Sequence, residues 1–247
     1  DYATGTLVAP SYIVSVAHNT KFTSSKFGNG AKYAYSYKFI ARNDDPGYPA
    51  DTPQDFQSPR LNKVVTDAAT VPYVSQTELR SDRERYKYLA RVGTGHQYQV
   101  DPVTGQANSL AISYAWKSGG TVVNPMENDQ WLYWTNAGPN DANLTPLSTA
   151  GTSGDSGSPT YVYDSVDKQW KLAGLHDRHS GTMPYGNYVS YETYMQTAYL
   201  ESIIAANTDP DVNDIAADGD IHWGKTAITQ GSSQWQWHGV SYALPTQ

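Results

Sequence analysis

The chain of 247 residues contains no cysteine and few charged side chains, which make up 17% of the sequence. Without cysteine it forms no disulfide, offers no thiolate to a metal and has no cysteine nucleophile. No run of eighteen apolar residues is present, so the sequence predicts no membrane-spanning helix. The net charge is −7 and no basic run occurs, so we expect no nucleic-acid partner, because phosphate recognition needs clustered Lys and Arg.

Aromatic residues are plentiful, with 20 Tyr and 7 Trp among the 13% aromatic residues. Tyr and Trp suit the half-buried faces of β-sheets, and this composition is typical of β-rich extracellular proteins. The length suits one large domain, or one domain with a small appendage, and is sufficient to bury a core without disulfides.

Short stretches rich in β-branched and aromatic residues recur about every ten residues, with turn residues between them, which favours an antiparallel sandwich or barrel. The predicted strands are 5–10, 12–18, 33–41, 61–65, 71–74, 86–92, 97–100, 111–116, 120–123, 131–134, 160–163 and 170–175. Residues 43–59 are rich in Asp, Pro and Gln and predict a long loop. One helix is predicted, over 191–206, where Met195, Tyr199, Leu200 and Ile203 share a stripe.

The sequence GDSGSP begins at Gly154 and places Ser156 between two glycines. A serine nucleophile needs a base, and it needs N–H donors for the oxyanion, which Gly154 and Ser156 can supply from a tight turn. The stretch is not G-x-S-x-G, because Ser158 occupies the last position, so an α/β-hydrolase elbow is a poor match. Taken alone, the motif is equally compatible with an ordinary loop.

Histidine is the expected base, and His18 ends a β-branched strand, although a surface histidine at a strand end is an equally simple interpretation. His176 and His179 form H-x-x-H, but without a third ligand at a suitable spacing we expect no metal site. Four aspartates of the long loop are candidates for the orienting acid, and spacing alone does not choose among them: Asp44, Asp45, Asp51 and Asp55.

The chain order histidine, aspartate, serine is that of the chymotrypsin-type double barrel and differs from the orders in subtilisin and α/β-hydrolases. Three stretches resemble motifs of the bacterial autotransporter serine proteases of the IgA-protease family, which includes the SPATEs. These are residues 3–19, similar to ATL-x-x-PQYI-x-SV-x-HN, residues 55–66, similar to DF-x-x-PRLDKLVTE, and GDSGSP followed by WKLAG at 170–174. Asn62 and the pair Thr160-Tyr161 depart from the family pattern.

This resemblance implies a mainly β fold, a chymotrypsin-like double β-barrel with a C-terminal helix. It implies a protease domain over 1–206, followed by a linker and the start of a β-helical stalk over 207–247. Only 17 residues precede His18, so we expect the first barrel to lack amino-terminal strands and to have an open edge.

The resemblance also assigns roles to individual residues. His18, Asp55 and Ser156 become the catalytic base, its orienting acid and the nucleophile, and the N–H groups of Gly154 and Ser156 become the oxyanion hole. By superfamily analogy, Ala150 lies at the base of the substrate pocket. The same analogy places three residues along the substrate strand: Leu172, Ala173 and Gly174. The role of Asp155 stays open, with a local hydrogen bond as the simplest interpretation.

The family further implies a monomeric serine endopeptidase and virulence factor that needs no cofactor and hydrolyses host or extracellular proteins and peptides. It implies secretion, or display at the surface of a Gram-negative bacterium, with the outer-membrane translocator domain of its own precursor as a partner. The alternative is a catalytically impaired adhesin or glycan-binding module on the same fold, with its Tyr and Trp residues stacking on sugars.

Overall fold

The computed structural model describes residues 3–27, 35–48, 54–101, 103–104, 107–113, 118–122, 125–135, 142, 145, 147–181, 188–206, 234–237 and 240–243. Within these residues the chain forms the following elements: β1 (Thr6–Ala9), β2 (Tyr12–Val14), β3 (Ser24–Ser25), β4 (Tyr37–Ala41), β5 (Arg60–Leu61), α1 (Gln76–Ser81), β6 (Leu89–Gly93), β7 (His96–Val100), β8 (Ala107–Ser113), β9 (Ser118–Thr121), β10 (Met126–Glu127), β11 (Trp131–Thr135), β12 (Pro159–Asp164), β13 (Gln169–Ser180), β14 (Val189–Tyr194), α2 (Thr197–Ala206), β15 (Gln234–Trp237) and β16 (Val240–Ala243).

The first sheet contains five antiparallel strands in the order β1-β2-β5-β4-β3. In β2, Ile13 packs into the core of this sheet, and its neighbours Tyr12 and Val14 pack into a different core. This follows from the two-residue period of a strand, which sends alternate side chains to opposite faces. The core of the first sheet consists of Leu7, Ile13, Phe27, Tyr37, Leu61 and Val65.

The second sheet contains seven strands in the order β10-β11-β14-β13-β12-β6-β9. Its core is built around the fully buried Trp134, whose indole Nε1–H donates to the carbonyl of Thr149 at 3.1 Å. The other core residues are Val74, Leu79, Tyr86, Leu89, Val122, Leu132, Val162, Ala173 and Tyr194.

A third apolar core joins the two sheets. It combines Val14 of β2 with Leu172 and Leu175 of β13 and Leu200 of α2, all at 0% exposure. Each such side chain contributes about 1.5–3 kcal/mol on burial. The core therefore fixes the end of β2, which leads into His18, against the second sheet.

The predicted chymotrypsin-like double barrel with a C-terminal helix is confirmed.

The predicted helix over 191–206 is wrong in its first part. Val189–Tyr194 form β14, which pairs with β11 on one side and β13 on the other. The aromatic and β-branched residues there satisfy their backbone groups in the sheet, and the helix begins only at Thr197. The predicted strand over 71–74 is reduced to a single bridge between Tyr73 and Leu172.

Helix α1 was not predicted, although its amino terminus carries a recognisable signal. Ser75 is the N-cap and its hydroxyl accepts a hydrogen bond from the Glu78 backbone N–H at 3.1 Å. Ser-x-x-Glu is the capping-box pattern, so the sequence does contain the start of this helix.

Two further pairs of strands are present in addition to the main sheets, β7 with β8 and β15 with β16. Of the segment predicted to be linker and stalk, residues 207–233 lie outside the described residues, so the stalk stays a prediction. Within the described part of the chain, neither helix has the length and apolar character needed to cross a bilayer.

Candidate active site

A backbone bridge between the residue that follows β2 and the far end of the 43–59 loop region brings Asp55 to His18. Ser15 and Gln57 exchange backbone hydrogen bonds of 3.0 and 2.9 Å, three residues before His18 and two after Asp55. The Asp55 carboxylate then accepts from the His18 backbone N–H at 2.8 Å, and its second oxygen lies 2.5 Å from His18 Nδ1. One carboxylate thus fixes both the main chain and the ring of His18.

Ser156 completes this arrangement, with its Oγ 2.7 Å from His18 Nε2. Because Asp55 can only accept at Nδ1 when ionised, the network assigns the ring proton to Nδ1 and leaves Nε2 to accept from the serine hydroxyl. The other described acids of the loop have different partners: Asp44 accepts from Arg42 at 2.7 Å, and Asp45 from the backbone of Gly47 at 2.8 Å. Asp51 lies outside the described residues.

The Ser156 turn is held from several sides. Gly154 has φ = 93°, a left-handed conformation that favours glycine, and the Ser156 carbonyl accepts from Thr4 N–H at 3.2 Å and Asn19 Nδ2 at 3.0 Å. Among the described residues, no protein acceptor takes the N–H of Gly154 or Ser156. Both residues and His18 line an open cleft of about 620 Å³ whose other wall is the segment 19–24.

Asp155 points away from this cleft into a buried polar pocket. Its carboxylate lies 3.1 Å from Arg91 Nη1 and accepts from the backbone N–H groups of Gly95 and Thr152, each at 2.8 Å. Burial alone would raise the pKa of Asp155, but the Arg91 charge and the backbone donors outweigh burial and lower it. Sequence reasoning left this role open, and Arg91 carried no signal by itself.

Arg91 also ties neighbouring parts of the turn together. Its guanidinium donates to the carbonyl of Ala150 at 3.1 Å and to Ser158 Oγ at 2.6 Å. Both side chains of the Arg91–Asp155 pair are at most 5% exposed. A guanidinium whose two terminal nitrogens donate in different directions fixes the turn before and after Ser156.

The electrostatics of His18 and Asp55 are those of a stabilised ion pair. Burial tends to lower the pKa of His18, but the hydrogen bond and the negative charge of Asp55 prevail and raise it. Burial tends to raise the pKa of Asp55, but its hydrogen bonds with His18 and Asp177 lower it. Both shifts mean that the ionised carboxylate of Asp55 stabilises the imidazolium when His18 takes up a second ring proton.

A second buried acid, Asp177 of β13, contacts Asp55 and was missed by sequence reasoning. It is 5% exposed, and its carboxyl group raises the question of which of the two neighbouring acids carries a proton. One side-chain atom each of His18, Asp55 and Asp177 lies within 4.8 Å of the other two. Nitrogen and carboxylate oxygen atoms of this kind can bind a cation, but His18 Nδ1 and Asp55 Oδ2 already contact each other at 2.5 Å.

The predicted substrate-binding residues lie next to this group or in the cores. Ala150 is half-buried and its carbonyl is bound by Arg91. In β13, Leu172 belongs to the core between the two sheets, Ala173 belongs to the core of the second sheet, and Gly174 is buried, so their substrate role stays a prediction.

The H-x-x-H pair is part of the packing behind the turn. His176 Nδ1 lies 2.8 Å from Glu192 Oε1, whose other oxygen accepts from Thr160 at 2.7 Å. The ring of His179 stacks on that of Tyr188, with 4.9 Å between the centroids. The two histidines thus have separate structural partners.

Comparison with known proteins gives consistent matches. Residues 1–197 match the family model described as immunoglobulin A1 protease. The adhesion and penetration protein autotransporter of Haemophilus influenzae is 32% identical over 179 residues, 68% of this chain and 13% of that protein. The serine protease SepA autotransporter of Shigella flexneri is 28% identical over 245 residues, 95% of this chain and 17% of that protein. The chain thus spans less than a fifth of the length of either relative.

Solved structures agree on the fold. The crystal structure of the Haemophilus influenzae Hap adhesin matches with a TM-score of 0.64 and 27% identity, over 82% of this chain and 22% of that one. The passenger domain of plasmid encoded toxin from enteroaggregative Escherichia coli matches with a TM-score of 0.57 at 21% identity, over 83% and 21% of the two chains. The second likeness concerns the fold alone.

Proposed function

Because the chain belongs to the immunoglobulin A1 protease family, we propose that it hydrolyses peptide bonds as a serine endopeptidase, with His18, Asp55 and Ser156 as its catalytic triad. The observation that carries the proposal is the continuous chain of contacts from Asp55 through the His18 ring to Ser156 Oγ, at 2.5 and 2.7 Å. A hydroxyl next to a base that is itself oriented by a buried acid is the arrangement that activates serine.

In the first half of the proposed reaction, His18 Nε2 takes the proton of Ser156 while Oγ forms a bond to the substrate carbonyl carbon. His18 then gives that proton to the amide nitrogen as the C–N bond breaks and the amine leaves. Water repeats the sequence on the acyl-enzyme, and Ser156 regains its proton. Asp55 stays ionised throughout and stabilises the imidazolium, consistent with its lowered pKa and the raised pKa of His18.

The N–H groups of Gly154 and Ser156 are the proposed oxyanion donors. The left-handed φ of Gly154 leaves both groups without a protein acceptor in the described part of the chain, beside the cleft that also exposes His18. Loss of one such donor typically costs about 3 kcal/mol of transition-state stabilisation.

Arg91 and Asp155 have a supporting role in the proposal. An ion pair internal to the chain, together with the Gly95 and Thr152 N–H donors, holds the residue that precedes the nucleophile. The turn therefore needs no new amino terminus to hold Asp155, and we expect an active turn without proteolytic activation.

The family places the chain in the secreted part of a Gram-negative autotransporter, released from the cell or displayed at its surface. We propose that protein or peptide chains are its substrates, and that the translocator domain of its own precursor is its partner during secretion. One specific observation favours a second function, adhesion: two of the relatives are named as an adhesion protein and an adhesin.

The test is cleavage of a mixed peptide library, followed by mass spectrometry, with wild type and Ser156→Ala. We expect defined cleavage sites with wild type and none with the variant, which should unfold at a nearly unchanged temperature. Ser165→Ala, in the turn between β12 and β13, is the matched control and should cleave normally. Wild-type protein that is folded but leaves the library intact would favour the adhesin, and residual cleavage by Ser156→Ala would place the nucleophile elsewhere.

A further inference from the structure

Asp177 occupies an unusual position for a second acid. It follows His176 in β13 at an irregularity of the pairing with β14, where the register shifts between His176 and Arg178. Such a bulge redirects a side chain relative to a regular strand. The side chain of Asp177 is 2% exposed, and one of its carboxyl oxygens lies within 4.8 Å of a carboxyl oxygen of Asp55, across the boundary between the two sheets.

Two buried carboxyl groups in contact do not both ionise readily, because like charges repel in a medium of low polarity. The charged groups that face Asp177 are Asp55, His18 and Arg178, whose Nε lies 3.0 Å from Asp177 Oδ2. Arg178 is half exposed, so its compensating charge is screened by solvent.

The asymmetry between the two acids indicates where the shared proton resides. Asp55 receives two hydrogen bonds from His18, which favour its ionised form. Asp177 accepts a hydrogen bond from the half-exposed Arg178, but burial, followed by the contact with Asp55, outweighs it and raises the pKa of Asp177 to about 7. Below neutral pH, Asp177 is therefore the hydrogen-bond donor and Asp55 the acceptor.

We propose that Asp177 is a positioning residue whose protonated carboxyl donates a hydrogen bond to Asp55 and thereby holds that carboxylate in the orientation that fixes His18. The proposal rests on the proposed protease function only for its kinetic consequence. Asp55 then has three donors, the backbone and ring of His18 and the carboxyl of Asp177, and its orientation is fixed from both sheets.

Loss of the Asp177 proton has a definite consequence. An ionised Asp177 can no longer donate to Asp55 and places a second negative charge near the imidazole. That charge stabilises the protonated ring, since the Asp177 charge contributes to raising the pKa of His18. Protonation of Asp177 and of His18 is therefore coupled.

The direct test follows the His18 imidazole by NMR from pH 4 to 9 in the whole chain, with histidine labelled by nitrogen-15. The variants are Asp177→Asn, which keeps a donor without a charge, Asp177→Ser, which offers a neutral hydroxyl, and Asp164→Asn as the control. Asp164 is a matched buried acid on β12 whose partners are Arg85 and Lys171. Circular dichroism verifies that each variant is folded.

We expect both Asp177 variants to lower the His18 titration midpoint and to sharpen its transition, because the coupled group is removed. The control should leave the midpoint where it is in wild type. A His18 midpoint that is the same in wild type and in both folded Asp177 variants would overturn the proposal. This measurement needs no catalytic activity, so its result stands even where the proposed protease function fails.

Measurements of kcat and KM distinguish a positioning role of Asp177 from the effect of removing its charge. On a peptide that wild type cleaves, Asp177→Ala should lower kcat about 10-fold with KM nearly unchanged, the effect of about 1.4 kcal/mol from a lost hydrogen bond to a charged group. Asp177→Asn should restore kcat to within about threefold of wild type and extend activity further into acid, because His18 deprotonates at lower pH. An equal loss of kcat in Asp177→Ala and Asp177→Asn would contradict the role of Asp177 as a hydrogen-bond donor.

Discussion

Asp155 and Asp177 are both buried aspartates in contact with the group around Ser156, but their surroundings differ. Asp155 meets a buried guanidinium and two backbone N–H donors, whereas Asp177 meets another carboxylate, with only a half-exposed arginine beside it. The first arrangement favours the charged form and the second the neutral form. The comparison shows that the partner, and not burial itself, decides the charge of an acid in this site.

The two acids therefore affect stability in opposite directions as the pH changes. The pKa of Asp155 is lowered on folding, so its stabilisation is present above the ordinary pKa of an aspartate and is lost as the pH falls. The pKa of Asp177 is raised to about 7, so its contribution is fully present below the ordinary value and is lost as the pH rises towards 7.

The largest effect is expected on removal of the cation. Arg91→Met leaves Asp155 buried without its counter-charge, which should lower the free energy of unfolding by about 3–5 kcal/mol in a urea titration at pH 7. The control is Lys87→Met. In wild type, Lys87 pairs with Glu84, and the two side chains are 60% and 90% exposed, so loss of this pair should change the free energy of unfolding by less than about 1 kcal/mol. Similar small losses for both variants would mean that Asp155 finds solvation elsewhere.

Gly93→Ala probes how tightly the Asp155 pocket is packed. A Cβ at this position would lie 2.0 Å from Asp155 Oδ1, and the carboxylate cannot move without leaving Arg91. We expect the free energy of unfolding to fall by about 1–3 kcal/mol. Thr94→Ala, on the next residue, is the matched control, and a loss as large as that of Gly93→Ala would show that the contact with Asp155 is not the cause.

Asp177→Asn should change the pH dependence of stability in the opposite sense. In wild type, Asp177 contributes a decline of up to about 1.4 kcal/mol per pH unit between about pH 4 and 7, and the Asn variant should lack this decline. Urea titrations at four pH values compare the two slopes. Parallel profiles for wild type and variant would indicate that Asp177 ionises as freely in the fold as in the unfolded chain.

Asn19→Ala should have the smallest effect, because it removes only neutral hydrogen bonds, one to the Ser156 turn and a longer one to Ser15 Oγ. Asn19 Nδ2 donates to the Ser156 carbonyl at 3.0 Å, and the Thr4 N–H still holds that oxygen at 3.2 Å. We expect a loss of about 1 kcal/mol in thermal or urea unfolding. A loss as large as that of Arg91→Met would reverse the ranking of charged and neutral contacts around the turn.

The architecture and the association of His18, Asp55 and Ser156 could be predicted because the stretches around these three residues resemble family motifs and occur in the chymotrypsin-type order. The choice of Asp55 over Asp44 and Asp45 came from the family pattern, and the structure gives those two acids different partners. The start of α2 was misplaced because pairing of β14 with two neighbouring strands overrides a helical stripe of apolar residues.

The contacts of Asp177 and Arg91 could not be predicted from the sequence. Asp177 reaches Asp55 because β13 has an irregularity next to it and because the core between the sheets brings β13 to the end of β2. Arg91 reaches Asp155 because β6 pairs with β12, so that Thr160 lies opposite Arg91. Both contacts depend on long-range register, which local patterns do not encode.

The most direct test of the account is the reaction of the folded chain with a fluorophosphonate, followed by intact-mass and peptide mass spectrometry. We expect a single adduct on Ser156, absent in Ser156→Ala and formed much more slowly in His18→Ala. An unmodified Ser156 in folded wild-type protein, or modification that proceeds equally fast without His18, would contradict the central claim that this serine is an activated nucleophile.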